Sequence, residues 1–393
     1  MNKTVAIFIS LAFFACNQIW AQEVETQQKV FTTLVDLPVT SVKNQQSTGT
    51  CWSFATISFI ESELLRLGNS KSDLSEMYIV RWAYSQKAKR YFHLHGKGNY
   101  SEGGQAHDVL NVVREHGFVP ESVYSGNQYG SDFHIHKEMV ESTKAMLDVI
   151  VTNPNRKVTP VWEESVNAVL DTYMGKTPKN FVLNGVEYTP VSYAKKMGFN
   201  ADDYVELTSY ADYSYYQTVD LEVPDNWSDD LYYNVQLNDL MAIINHALRN
   251  GFTVCWDGDV SEKGFSHRDG YAVLPATKAV DMSDSEIAKW ENNLADNKGD
   301  TSSDNRELTV DENLRQVTFD NYETTDDHLM HLTGIVKDQN GTVYYKTKNS
   351  WADNSNEYGG YLNMSEAYVK LKTVAIMVHK DAIPSEIKKK LGL

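Results

Sequence analysis

An α+β fold in two lobes is the class this sequence predicts, on three observations. Helical periodicity runs through residues 51–68 and 106–116, strand patterns fill the last part of the chain, and further helical patterns lie between them. At 393 residues the chain is long enough to bury a sizeable core in one large domain or two.

The elements follow in order. Lys3, the apolar run Val5 to Ala15 and then Ile19-Trp20-Ala21 before the polar Gln22-Glu23 read as a secretory signal peptide cleaved after Ala21. That run is too short to span a bilayer. Export to the periplasm or the extracellular space is the expectation. A lipid anchor on Cys16 is the alternative, though Phe13 fits a lipoprotein signal poorly. Residues 22–40 form a lead-in. From Cys51, the residues Phe54, Ile57, Ile60, Leu64 and Leu67 recur at helical spacing, and Gly68 is the stop. Ser75 is placed to cap the next helix. Ala106 to His116 is amphipathic, closed by Gly117 with Pro120 beyond.

Residues 127–250 carry helical patterns at 135–150, 160–174 and 236–250, joined by a stretch rich in tyrosine (Tyr204, Tyr210, Tyr213, Tyr215, Tyr216). They read as a largely helical insertion. The tyrosines are read as packing rings rather than as the lining of a peptide groove. Residues 251–276 alternate as strands do, residues 281–327 are acidic and polar, and strands are expected at 329–336, 342–348, 360–364 and 373–379.

The charge balance is acidic, 36 Lys and Arg against 53 Asp and Glu. Phosphate binding needs positive charge, so nucleic acid is not an expected partner. Of three cysteines, Cys16, Cys51 and Cys255, the first leaves with the signal peptide.

The segment Val42 to Ala55 carries the chemistry. It sets Gln45 six residues before Cys51, Gly49 in the approach and Trp52 directly after. A thiol on the first turn of a helix meets unpaired N–H groups and the positive end of the helix dipole, and both favour the thiolate. Gln45 can offer its amide to an oxyanion forming beside the sulfur. A lone cysteine would be read as one more small buried residue; these three neighbours argue otherwise. A nucleophile needs a base, and the base an orienter. His328 opens the strand pattern His328 to Gly334, while His331, three residues on, points to the opposite face. Lys348-Asn349-Ser350-Trp351 offers Asn349 to hold an imidazole and Trp351 to shield that hydrogen bond.

Gln45, Cys51, His328 and Asn349, each in its local context, resemble the active site of papain-like cysteine peptidases, and Gly359-Gly360-Tyr361 resembles the turn after the asparagine. Gly103-Gly104-Gln105, Val119-Pro120-Glu121, Val254 to Val260 and the insertion are similar to the bleomycin hydrolase and aminopeptidase C branch, over roughly residues 35 to 390. The resemblance implies one peptidase domain over 22–393 with the insertion at 127–250, peptide substrates, a Cys–His–Asn mechanism through a thioester, and no metal or organic cofactor. It implies a hexamer enclosing its active sites, and a C-terminal arm whose carboxylate meets the substrate's amino group. Thr48 stands where many secreted relatives carry a disulfide cysteine, and Cys255 is read as packing. The tail after Glu386 is shorter than the arm, so endopeptidase cleavage stands beside aminopeptidase cleavage as an expectation. An inactive binding protein and another acyl-transfer enzyme, such as an amidase or a transglutaminase-type catalyst, are the remaining readings.

Overall fold

The computed structural model describes residues 29–130, 132–153, 157–275 and 307–393. The expected signal peptide, Cys16 and residues 281–306 of the acidic stretch lie outside the described residues.

A short strand β1 (Thr32–Asp36) leads to a helical lobe of α1 (Cys51–Arg66), α2 (Glu76–His93), α3 (Ala106–His116), α4 (Lys137–Val151) and α5 (Trp162–Met174). After the hairpin β2 (Phe181–Leu183) and β3 (Val186–Tyr188) comes α6 (Pro190–Lys196). Next are β4 (Tyr204–Thr208), β5 (Thr218–Asp220), β6 (Leu231–Asn234) and α7 (Leu237–Arg249). The sheet is completed by β7 (Val254–Gly258), β8 (Phe265–Ser266), β9 (Tyr271–Ala272), β10 (His328–Lys337), β11 (Val343–Lys348), β12 (Tyr361–Ser365) and β13 (Thr373–His379). Its order is β5-β6-β4-β13-β7-β10-β11-β12-β9-β8.

Strand β10 is the spine. Its first half pairs antiparallel with β7, His328 opposite Gly258, and its second half with β1, Gly334 opposite Asp36. Gly334 is required there: a methyl group on it would collide with the carbonyl of Val35. Successive residues of a strand face opposite sides, and two cores result. Cys255 and Leu329 pack with Trp52, Phe59 and Val109 on the α1 side. Trp256, Met330 and Leu332 pack with Ile244 and Leu248 of α7 on the other, together with Ile387 and Leu391 of the C-terminal helix Ser385–Leu391.

Helix α1 is buried from Trp52 to Leu64 without a break. Such a helix has no solvent face, so its polar residues must be satisfied internally. It ends near Gly68, whose φ of 88° suits glycine. Ser75 caps α2 by accepting from the Tyr78 N–H. Helices α4, α5 and α7 lie within two residues of the expected patterns. The tyrosine-rich stretch adds what periodicity alone had not indicated: β4 to β6 extend the sheet beyond β13, with Tyr204 and Tyr210 buried. Among the described residues no helix is long and apolar enough to cross a membrane.

Candidate active site

Helix α1 begins at Cys51, and the start of β10 runs against it: the Leu329 N–H donates to the Cys51 sulfur. The residue before that donor is His328, 4% exposed. His328 Nε2 lies 2.8 Å from Asn349 Oδ1. The same oxygen accepts the Ser350 N–H at 2.7 Å, so it is an acceptor and His328 Nε2 carries the proton. Nδ1 is left as the basic nitrogen. Trp351 lies over the pair, 4.9 Å from the His328 ring centre.

The asparagine continues into a chain of hydrogen bonds. Its Nδ2 donates to His267 Nδ1 at 3.3 Å, His267 Nε2 donates to Ser355 Oγ at 2.8 Å, and Ser355 Oγ donates to the Ala352 carbonyl at 2.6 Å. Each donor finds an acceptor only if both histidines are neutral, and burial holds both below the ordinary imidazole range, His328 at about 4. Nothing in the sequence around His267 marks it for this site. Its partner stands 82 residues on, and no local pattern links the two.

Gln45 is held on three sides. Its Nε2 donates to the Thr48 carbonyl at 2.8 Å, its Oε1 accepts from Ser350 Oγ at 2.6 Å, and its backbone N–H donates to the Ser350 carbonyl at 2.8 Å. One amide hydrogen remains, and the loop bearing Gln45 is tied to the loop bearing Asn349. The Glu102 carboxylate accepts the Gly49 N–H at 2.6 Å, and its carbonyl accepts Trp52 Nε1 at 3.0 Å, which presses the Gly103-Gly104 loop onto the turn before Cys51.

His331 is elsewhere. It is fully buried under the middle of α1, with Nδ1 2.9 Å from Ser58 Oγ and its ring edge-on to Phe59. Cys255 is a free, buried thiol 3.5 Å from Thr56 Oγ1, a packing position.

The thiol is not lowered, as the helix dipole alone would have it. Burial pushes Cys51 up to about 12, the Leu329 N–H opposes this, and Asp225, Asp326 and Asp257 push it higher. Those three acids form a cluster of their own. Asp326 lies against Asp257 and accepts Gln105 Nε2 at 2.6 Å. Asp225 accepts Asn99 Nδ2 at 3.2 Å and leans so closely over Gly103 that a methyl group there would strike its carboxylate. Burial is the first cause of a rise in all three, and Asp326 reaches about 7. Nothing in the sequence flags them, since they come from three distant segments.

A family model described as Peptidase C1-like family matches residues 13–392. Aminopeptidase G from Lactobacillus delbrueckii subsp. lactis is 24% identical, over 90% of this chain and 83% of its own. Aminopeptidase W from the same organism is 22% identical, over 90% and 84%. Aminopeptidase C from that organism is 22% identical, over 99% and 91%. The crystal structure of PepW from Lactobacillus rhamnosis HN001 superposes with a TM-score of 0.70 at 19% identity, covering 92% of this chain and 84% of that one, so the two share a fold.

Proposed function

The chain belongs to the Peptidase C1-like family, and from that premise we propose that it is a cysteine peptidase that removes residues from the amino termini of peptides, as the names of aminopeptidases G, W and C say of those relatives. One observation carries the catalytic reading. His328 Nε2 is bound to Asn349 Oδ1 at 2.8 Å, while the next backbone N–H, that of Leu329, reaches the Cys51 sulfur. A base with a fixed tautomer thus stands one residue from the contact to the nucleophile.

The reaction proceeds in two halves. As substrate binds, the Cys51 proton passes to His328 Nδ1 and the sulfur forms a bond to the scissile carbonyl carbon. The free Gln45 amide hydrogen and the Cys51 N–H receive the oxyanion. His328 then gives its proton to the departing amine as the C–N bond breaks. Water attacks the thioester, its proton goes to His328, and the C–S bond breaks to return the thiol. Asn349 and Trp351 hold the imidazole in place throughout. Burial raises the Cys51 thiol and lowers the His328 imidazole, and both shifts oppose a standing ion pair. The expected export through residues 1–21 would make such peptides periplasmic or extracellular.

Endopeptidase cleavage is the second reading. The helix Ser385–Leu391 buries Ile387 and Leu391 with α7, on the sheet face away from α1. The test compares a fluorogenic peptide with a free amino terminus and its N-acetylated twin, under reducing conditions. Cleavage of the free peptide alone supports the first reading, and cleavage of both supports the second. Unchanged activity in Cys51→Ala would overturn the catalytic assignment.

A further inference from the structure

An aminopeptidase must hold an ammonium group beside its nucleophile. The α-nitrogen of the first residue is two bonds from the carbonyl carbon under attack, so whatever reads it has to sit within the field of the thiol. The three carboxyls that act on Cys51 are Asp225, Asp326 and Asp257. Asp257 is 3% exposed, and among the described residues neither of its oxygens accepts from an N–H or hydroxyl donor. What it meets instead is a second carboxyl, Asp326. Asp257 holds a proton and donates it to Asp326, so the oxygens the pair leaves over are acceptors without a donor of their own.

The surroundings sharpen this. Asp225, Asp326 and Cys51 are each partly exposed, so a ligand can reach all three from solvent. Lys87 is near Asp225 but is fully buried and already committed to the carbonyls of Ser101 and Gly103. His107 is already paired with Glu206 at 2.6 Å. The hydroxyls of Tyr210 and Tyr232, both buried and close enough to feel Asp257 and Asp326, have no hydrogen-bond partner among the described residues. Among the described residues no three His, Cys, Asp or Glu side chains converge as a metal-ligand set, these acids included.

The segment that carries Asp225 is held firmly. Asn226 Nδ2 donates to Asp220 Oδ1 and to the carbonyls of Leu221 and Asp230, each at 3.1 Å. Trp227 Nε1 donates to Asp108 Oδ2 at 2.7 Å, which pins the loop to the first turn of α3. A carboxylate so fixed is preorganised for a ligand.

We propose that Asp225, Asp326 and Asp257 form the site that binds the α-ammonium group of a peptide substrate, so that an internal carboxyl cluster measures the distance from the amino terminus to Cys51. The idea rests on the aminopeptidase reading and specifies how that reading is met. Asp225 and Asp326 contact the ammonium, and Asp257 supports Asp326 from beneath.

The test is a binding measurement, so that it does not depend on turnover. Full-length Cys51→Ala protein is titrated by calorimetry with leucyl-glycinamide, with N-acetyl-leucyl-glycinamide, and with a blocked lysine dipeptide whose only ammonium is on the side chain. The free-amine dipeptide is expected to bind at least tenfold more tightly than either blocked one. Asp225→Asn and Asp257→Asn, each added to Cys51→Ala and checked for folding by their melting transitions, are expected to erase that preference. Equal binding of free and acetylated dipeptides overturns the proposal, as does a preference that survives both substitutions. Binding of the blocked lysine dipeptide as tight as the free-amine one overturns it in favour of a basic side-chain pocket. Loss of peptide hydrolysis in the intact enzyme would count against the peptidase reading and leave this measurement standing.

Discussion

Two charged regions flank α1, and they are built on opposite plans. Behind the helix, every buried charge has a partner. Lys43 lies 2.6 Å from Asp73 and 2.8 Å from Glu76, Glu61 accepts the Leu74 N–H at 2.8 Å, and Lys348 donates to Ser58 Oγ at 2.8 Å and to Thr40 Oγ1 at 3.2 Å. In front, beside Cys51, three carboxyls crowd together and, among the described residues, the innermost accepts from no N–H or hydroxyl donor. The first arrangement is what a fully buried helix needs to bring Glu61 inside. The second does nothing for stability that an amide would not do better. The contrast separates a group kept for the fold from a group kept for a ligand.

Four experiments break or sharpen this contrast. Removing a cation from the rear network should do the most harm: Lys43→Met leaves Glu61 and Glu76 without their nearby ammonium, and urea denaturation should register a loss of about 3–5 kcal/mol. A small loss would mean that the rear charges are no better integrated than the front ones.

The front cluster should leave its mark on pH. Asp326 has a folded value of about 7, above the ordinary carboxyl range, with burial the first cause and Asp225 the next. An acid raised in the fold costs stability wherever it is ionised in the unfolded chain yet still protonated in the fold. That cost is absent below the ordinary carboxyl range and is complete once pH has climbed through 7. The melting temperature should therefore fall between pH 4 and pH 7, on the order of 5 °C from this group, and Asp326→Asn should flatten the fall. An unaltered profile in the variant would show that the cluster is not the titrating unit.

Alkylation of the thiol reads the same field from its other end. Asp225→Asn removes one of the charges that hold Cys51 up, so iodoacetamide at neutral pH should react about threefold faster than with the native chain. A slower rate would mean that the carboxyls help form the thiolate. The smallest effect is expected for Asp257→Asn, which removes a buried acid lacking donors. Its change in unfolding free energy should stay within about 1 kcal/mol and can be stabilising. A loss near that of Lys43→Met would put both regions on the same structural footing.

Much of this molecule was legible in its sequence, and the reason is locality. The cysteine turn, the histidine at a strand start and the Asn-Ser-Trp segment each carry their signal within a few residues, as do the Ser75 cap and Gly334. Helix ends fell close because capping residues and apolar periodicity are also local. What escaped depends on segments meeting. His267 reaches Asn349 across 82 residues, and the burial that raises Cys51, with the acids that add to it from 225, 257 and 326, is made by distant segments. A dipole argument made from one helix sees its backbone but not the side chains that other elements bring to it. The tyrosine-rich stretch reads as a connection with packing rings, and Tyr204 and Tyr210 are buried; that Tyr204 to Thr208 also joins the sheet is decided by β13, which lies far along the chain.

The knot around Asn226 has a consequence for ancestry. The chain fastens residues 220–230 to themselves and to α3, while Cys51, His328 and Asn349 sit on α1, β10 and the turn after β11. Of the three proposed ammonium-binding acids only Asp225 lies in that segment, since Asp257 is on β7 and Asp326 stands two residues before His328. A lineage that exchanges residue 225, or the whole segment, is expected to alter its choice of peptides together with the reactivity of Cys51, and diversification of such enzymes is expected to be written in that loop early.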